Sequence, residues 1–279
     1  FIMFGVAMSI NPVEFREIGR NPKSVITGSI SQFLLLPAAT FLFVWLVRPL
    51  EGLALGMILV AACPGGNVSN FFSQLSKGNV ALSISLTAVA TVLASFMTPL
   101  NYSFWSTLYT GEQLDQTVAM DTFEMFKMVV LILVLPLILG LMFRAKFPRT
   151  TIKISLPVRV ISFLILIGFI VIAFLKNIDL FSKYYGYIVF LVFFHNAMAL
   201  SLGYFWSKLV GNSERDSRTI SLETGIQNSG LGLVIIFTLF GGNGGMALIT
   251  AWWGIWHIIA GIVLSMIFTR GRIFEVQQV

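Results

Sequence analysis

Read for polarity alone, the chain is a succession of long apolar runs joined by short polar connections. A helix crossing a bilayer needs about 20 mostly apolar residues. On that measure the pattern predicts spans at 1–10 (incomplete), 24–48, 53–75, 79–107, 124–145, 155–176, 184–208, 219–240 and 246–269. Residues 1–10 have no basic flank or cleavage site, so they read as the tail of a span rather than a signal peptide; a complete two-by-five repeat arrangement would need one more span before Phe1. Asn11 to Pro22 is polar and basic and reads as an interfacial connection.

Two spans depart from the pattern near their centres. One carries Ala62-Cys63-Pro64-Gly65-Gly66-Asn67-Val68-Ser69-Asn70, the other Glu223-Thr224-Gly225-Ile226-Gln227-Asn228-Ser229. A helix broken inside lipid frees backbone groups, which is tolerated only where protein or a polar cavity satisfies them. Interrupted segments in corresponding halves of a membrane protein point to a transporter's binding site. The halves also echo each other: Lys77-Gly78-Asn79-Val80-Ala81-Leu82 follows the first broken span, and Gly244-Gly245-Met246-Ala247-Leu248 follows the second. The broken spans lie five crossings apart, and an odd separation predicts inverted repeats. The expected architecture is an all-α integral membrane bundle, with one repeat in 1–107, an external loop at 108–123, a second repeat in 124–269 and a cytoplasmic tail at 270–279.

Composition agrees. The chain is 57% hydrophobic and 11% charged, where a soluble domain has about 25% charged residues. The net charge of +6 comes from basic residues in short loops, so it reads as membrane orientation and not as nucleic-acid binding. Fourteen lysines and arginines fall in one alternating set of loops (Arg16 to Lys23, Lys77, Arg144 to Arg159, Lys208 to Arg218, Arg270, Arg272), and Arg48, Lys176 and Lys183 fall in the other. The richer set and the C-terminus are therefore expected in the cytoplasm, and the acidic loop with Glu112, Asp115, Asp121 and Glu124 outside. The single cysteine, Cys63, excludes an internal disulfide, and no Cys/His metal cluster is visible.

Glu223 is the one acidic residue well inside a span, where a carboxylate costs several kcal/mol unless it meets a partner or a cavity. Ser69, Asn70, Ser83, Thr87, Gln32 and Gln227 add neutral oxygens within spans. Ser83 and Thr87, four apart, share a helix face. One carboxylate among many neutral oxygens suits a monovalent cation, and carbonyls freed at a break add ligands. The half-helices that begin after the breaks offer amides and a positive dipole end to an anion, with Asn67 and Asn228 as side-chain donors. A lone His257 in the last span reads equally as core or site, and His195-Asn196 reads as packing between helices. No nucleotide loop, metalloprotease helix or nucleophile elbow is present.

Cys63-Pro64-Gly65-Gly66-x-x-Ser69-Asn70, Gly78-Asn79-Val80-Ala81-Leu82-Ser83 and Glu223-x-Gly225-x-Gln227-Asn228-Ser229-Gly230 together resemble the bile acid:sodium symporter family, its bacterial members in particular, over most of the chain. The resemblance implies a panel domain and a core domain that move against each other, ten spans, and two sodium sites behind crossed broken helices. By motif, Ser69, Asn70, Ser83, Thr87 and Glu223 match one sodium site. Gln32, Glu223 and Gln227, with the carbonyls of Thr224 and Ile226, match the other. Asn67, Asn228 and His257 fall where the family contacts substrate. The substrate side departs from the family: Asn67-Val68 stands where Thr-Ala is common, and Ile258 where Asn follows the histidine. Members also carry small organic anions such as pantoate or pyruvate.

The expectation is a sodium-coupled organic anion symporter of the bacterial inner membrane, working by alternating access and partnered by lipid, sodium and the anion. Its rivals are a proton-coupled or uncoupled carrier, in which Glu223 titrates, a membrane sensor that binds without transport, and an intramembrane enzyme, disfavoured because the sequence shows no nucleophile–base pair or metal set. The oligomeric state stays open, a monomer included. The charge count carries a direct test. Cysteines placed in the 112–121 loop should react with an impermeant thiol reagent from outside intact cells, and cysteines in the 146–153 loop should not; the reverse pattern would invert the topology.

Overall fold

The computed structural model describes residues 4–5, 19, 21–111 and 122–271, and among these every regular element is helical. Helix α1 comprises Pro22–Ile30, a π-helical Ser31–Leu35 and Leu36–Val47. The first broken span is α2 (Glu51–Ala62) and α3 (Val68–Leu75), followed by the long α4 (Val80–Thr110). Helix α5 comprises Thr122–Val129, a π-helical Val130–Val134 and Leu135–Lys146. Then come α6 (Pro148–Lys176) and α7 (Ile178–Leu209). The second broken span is α8 (Glu214–Gly225) and α9 (Ser229–Leu239), followed by α10 (Gly244–Thr269).

Among the described residues, six helices are long and apolar enough to cross a membrane. The two broken spans supply two further crossings only as pairs, since no half exceeds 12 residues and a crossing takes about 20. The chain is an all-α, multi-pass membrane protein. Every span predicted from 24 to 269 is found. Helices α6 and α7 begin earlier than their apolar runs, at Pro148 and Ile178. Lysine and arginine extend helices well and carry their charge outward on long stems, so hydropathy stops short of the true helix start. Most of the predicted span at 1–10 and of the connection after it, the loop with Glu112, Asp115 and Asp121, and the tail from Arg272 lie outside the described residues.

Local chemistry explains how α1 presents its polar residues. Pro37 has no N–H for the Phe33 carbonyl four residues back. Asn101 of α4 supplies Nδ2 to that carbonyl at 3.1 Å and takes Trp105 Nε1 on its own Oδ1 at 3.1 Å. The wider π turn just before Pro37 lets the consecutive residues Ser31, Gln32 and Phe33 all face inward and become buried. A π turn also precedes Leu135-Pro136 in α5. Asparagine side chains cap the helices that follow breaks and turns: Asn79 on Leu82 N, Asn228 on Leu231 N and Asn243 on Met246 N.

Helix α2 is apolar on all sides and buried from Leu53 to Ala62. It meets α10 through glycines, where Gly52 and Gly56 face Gly245 and Met246. Helix α7 lies along α8 with similar closeness: a Cβ on Gly203 would stand 2.7 Å from the Ile220 carbonyl, and Ser221 Oγ donates to the Leu200 carbonyl at 2.7 Å. Helices α5 and α6 form the outer layer and leave Leu139, Met142, Ile152, Phe163 and Leu175 exposed, as lipid-facing positions should be. Gly56→Val would drive its side chain into Ile249 and the Met246 backbone, the latter 2.8 Å from the first added carbon. It should cost about 1–3 kcal/mol, read as a lower melting temperature in detergent. Gly168→Ala in α6, with nothing within 4 Å of the added carbon, should leave melting unchanged or raise it.

Candidate functional site

The two breaks cross and bond to each other. Gly66 N donates to the Ile226 carbonyl at 2.8 Å, and Asn228 N donates to the Pro64 carbonyl at 2.8 Å. These bonds make an isolated antiparallel bridge between Gly65 and Gln227. Pro64, Gly65 and Gly66 suit the place. The proline ends the helix, and the glycines let two backbones approach where side chains would not fit. A Cβ on Gly66 would stand 3.3 Å from the Gln227 carbonyl oxygen.

Glu223, 1% exposed, lies on the last turn of α8 beside this crossing. Its Oε1 accepts from Ser69 Oγ of α3 at 2.6 Å and from Ser83 Oγ of α4 at 2.5 Å. Thr87 Oγ1 lies 3.2 Å from both carboxylate oxygens and 3.4 Å from Asn70 Oδ1, with a single proton to give. Ser73 Oγ donates to Ser83 Oγ at 3.0 Å and extends the ring. No lysine, arginine or histidine pairs with Glu223 among the described residues, so this carboxylate is held by neutral hydroxyls alone.

Gln32 reaches the other side of the carboxylate. A Cβ built on Gly65 would stand 2.8 Å from Glu223 Oε2 and 3.2 Å from Gln32 Nε2, which puts all three residues around one point. Gln32 Nε2 and Gln227 Oε1 are buried without a hydrogen-bond partner. Gln227 Nε2 donates to the Thr224 carbonyl at 2.7 Å, and the Ile226 carbonyl is the one taken by Gly66. A carbonyl oxygen has two lone pairs, so both keep a lone pair for a ligand. Every residue that the sequence grouped around Glu223 is thus gathered at the crossing.

The second set is more spread out. Asn67 stands exposed at the head of α3 with its side chain free of capping, while Asn228 is half-buried and caps α9. His257 is buried on α10, with Nδ1 unpartnered. It shares a helix face with Gly254 and Gly261, at spacings of three and four. Gly254 lies against Ser229 at the start of α9, and Gly261 against Phe72 of α3. His257 therefore sits on the face of α10 that passes both half-helices.

Three polar contacts near the crossing go beyond the sequence, in which Asn196 reads only as packing between helices and neither Thr98 nor Ser31 is singled out. Thr98 Oγ1 donates to the Ala62 carbonyl at 2.8 Å, Asn196 Nδ2 donates to the Gly225 carbonyl at 2.7 Å, and Ser31 Oγ lies 2.8 Å from Thr224 Oγ1. A polar residue in an apolar helix was the only signal, and packing explains it as well as a site does. Its neighbour His195 does serve packing, with Nε2 2.7 Å from Thr40 Oγ1 and its ring edge-on to Trp253.

Residues 1–184 match the sodium bile acid symporter family, to which the chain belongs. It is 31% identical over 274 residues to YocS of Bacillus subtilis (strain 168), named an uncharacterized sodium-dependent transporter, covering 96% of this chain and 81% of that protein. It is 33% identical to a rice (Oryza sativa subsp. japonica) protein named "Probable sodium/metabolite cotransporter BASS2, chloroplastic", covering 84% of this chain and 54% of that protein. An Arabidopsis thaliana protein named in the same way as BASS1 is 30% identical over 96% of this chain and 65% of its own length.

The closeness of Gly65 to the carboxylate is testable. Gly65→Ala should displace Glu223 or Gln32 and cost about 1–3 kcal/mol, seen as a melting temperature lowered by several degrees. An unchanged melting temperature would mean that the space behind Gly65 is larger than described.

Proposed function

We propose that the protein is a secondary transporter that couples sodium entry to uptake of an organic anion. The observation that carries this reading is Glu223: a carboxylate buried without a cationic partner, ringed by neutral oxygens from α3 and α4 and faced by Gln32 of α1. Such a group fits a bound monovalent cation, because hard cations take oxygen ligands and a single carboxylate neutralises a single charge. The unpartnered Gln227 Oε1 supplies another acceptor. Gln32 carries an amide oxygen beside its unpartnered nitrogen, and a half-turn of the amide would bring that oxygen to the carboxylate side.

We assign Ser69, Asn70, Ser83, Thr87 and Glu223 to one sodium site. Gln32, Glu223 and Gln227, with the Thr224 and Ile226 carbonyls, form a second. Asn67, Asn228 and His257 are assigned to the anion, which would meet the heads of α3 and α9. The names of the relatives support sodium as the coupled ion and a metabolite as cargo. The mechanism is alternating access, with the layer of α5 and α6 as panel, the helices around the crossing as core, and the two repeats inverted in the membrane. The setting is a bacterial cell membrane with the C-terminus inside.

Sodium between the two broken helices would fix the crossing and remove part of the ordering cost of binding the anion. Linkage then makes the anion tighten sodium by the same factor, typically about 5–150-fold. The test is a titration of pyruvate or pantoate by calorimetry at several sodium concentrations, with melting curves in sodium and in potassium. Sodium should raise the melting temperature and anion affinity; Glu223→Gln should lose both effects, and Asn228→Ala should lose anion affinity while keeping most of the sodium stabilisation. Full sodium dependence in Glu223→Gln would remove its role as a ligand. Anion affinity that stays flat from zero to saturating sodium would make the protein an uncoupled carrier.

A further inference from the structure

Breaking a buried helix strips its last carbonyls of the amides that would have followed, and each must find another donor. At this crossing most do so within the broken spans. Pro64 and Ile226 bond across to Asn228 N and Gly66 N, Gly66 and Asn67 bond ahead to Ser69 N and Asn70 N, and Thr224 takes Gln227 Nε2. Two carbonyls are served differently. Ala62 is the last residue of α2 and Gly225 the last of α8, so they hold matching places. Each takes a side-chain donor from an unbroken neighbour: Thr98 Oγ1 of α4 at 2.8 Å, and Asn196 Nδ2 of α7 at 2.7 Å.

These contacts run against local preference. A threonine within a helix usually bonds back to the carbonyl four residues before it, and Thr27, Thr91, Thr110, Thr151, Thr224, Thr238 and Thr269 do so here. Thr98 reaches to another helix instead. Asn177, likewise, bonds back to Ala173, whereas Asn196 crosses to α8. Both donors are buried, at 0% and 1% exposed. The approach that lets Asn196 reach is built in, because Leu200 of the same helix fills the place where a Gly225 side chain would go.

We infer that Thr98 and Asn196 are positioning residues for the cation site, a role that rests on the sodium reading above. Neither touches Glu223. Asn196 fixes the direction of the Gly225 carbonyl, which lies between the Thr224 and Ile226 carbonyls assigned to the ion. Turning one peptide plane turns its neighbours, so the Gly225 bond sets how those two oxygens face. Thr98 fixes the chain as it leaves α2 for Pro64 and Gly65, the stretch that bonds to Asn228 N and backs the Glu223 carboxylate.

The test measures the sodium concentration that gives half of the maximal melting shift, with potassium keeping ionic strength constant, for the purified full chain. Loss of one hydrogen bond to a buried carbonyl should matter at about fivefold or more. Thr98→Val, which keeps shape and loses the donor, and Asn196→Leu should each raise the half-saturating sodium by that factor, while Thr98→Ser should stay at the wild-type value. Ser207→Ala removes a buried Ser207–Ser217 bond between α7 and α8 away from the crossing; it should lower melting without sodium and leave half-saturation unchanged. A purely structural role would make Thr98→Val behave like Ser207→Ala, and that outcome overturns the inference even if Asn196→Leu does not fold. A wild-type protein indifferent to sodium removes the sodium reading and the positioning role with it.

Discussion

The structure depends on a pair of backbone hydrogen bonds, Gly66 N to Ile226 O and Asn228 N to Pro64 O. Inside a membrane protein no solvent is at hand for a broken helix, and an unpaired peptide group costs several kcal/mol. Each break here supplies what the other lacks. Neither could persist alone at this depth, so the crossing has to form as a unit, and the residues beside it are placed by that requirement. Gly65 and Gly66 are small because two chains meet there, and Glu223 lies beside Gly65 because α8 ends at the crossing.

The same two spans are joined a second time at the far ends of α3 and α8. Arg218 Nη1 donates to the Ser76 carbonyl at 3.1 Å and Arg215 Nη2 to the Gly78 carbonyl at 3.4 Å, both at the C-terminal end of α3, where positive charge is favoured. Asn79 N donates to Thr219 Oγ1 at 2.8 Å. The buried Asp216 gathers Asn21, Ser24 and Asn79 from α4 and the start of α1. The paired half-helices are thus tied at the crossing and at this polar end. Helix α6 of the outer layer packs leucine and isoleucine against glycines: Leu166 faces Gly230 of α9 and Ile170 faces Gly254 of α10.

The carboxylate site follows the same logic on a smaller scale. Ser69, Ser83 and Thr87 each give one proton to Glu223 and keep lone pairs of their own. In the proposed sodium site, those lone pairs are what the hydroxyls would offer a cation.

The sequence by itself determined the spans from 24 to 269, the two breaks and the set of polar residues that gathers around Glu223. Those features are written in hydropathy, in Pro-Gly-Gly, and in a lone intramembrane glutamate with serine, threonine and amide neighbours, all of which report on environment through residue type. The starts of α6 and α7 were misread by several residues because basic side chains continue a helix while ending an apolar run. What only the tertiary structure decided is which polar residues act together. Thr98, Asn196 and Ser31 look in the sequence like any polar residue in a buried helix, and so does His195, which packs. The difference lies in the direction of one side chain relative to a carbonyl on another helix. No property of the residue itself encodes that direction; it exists only once α4 and α7 are laid against the ends of α2 and α8.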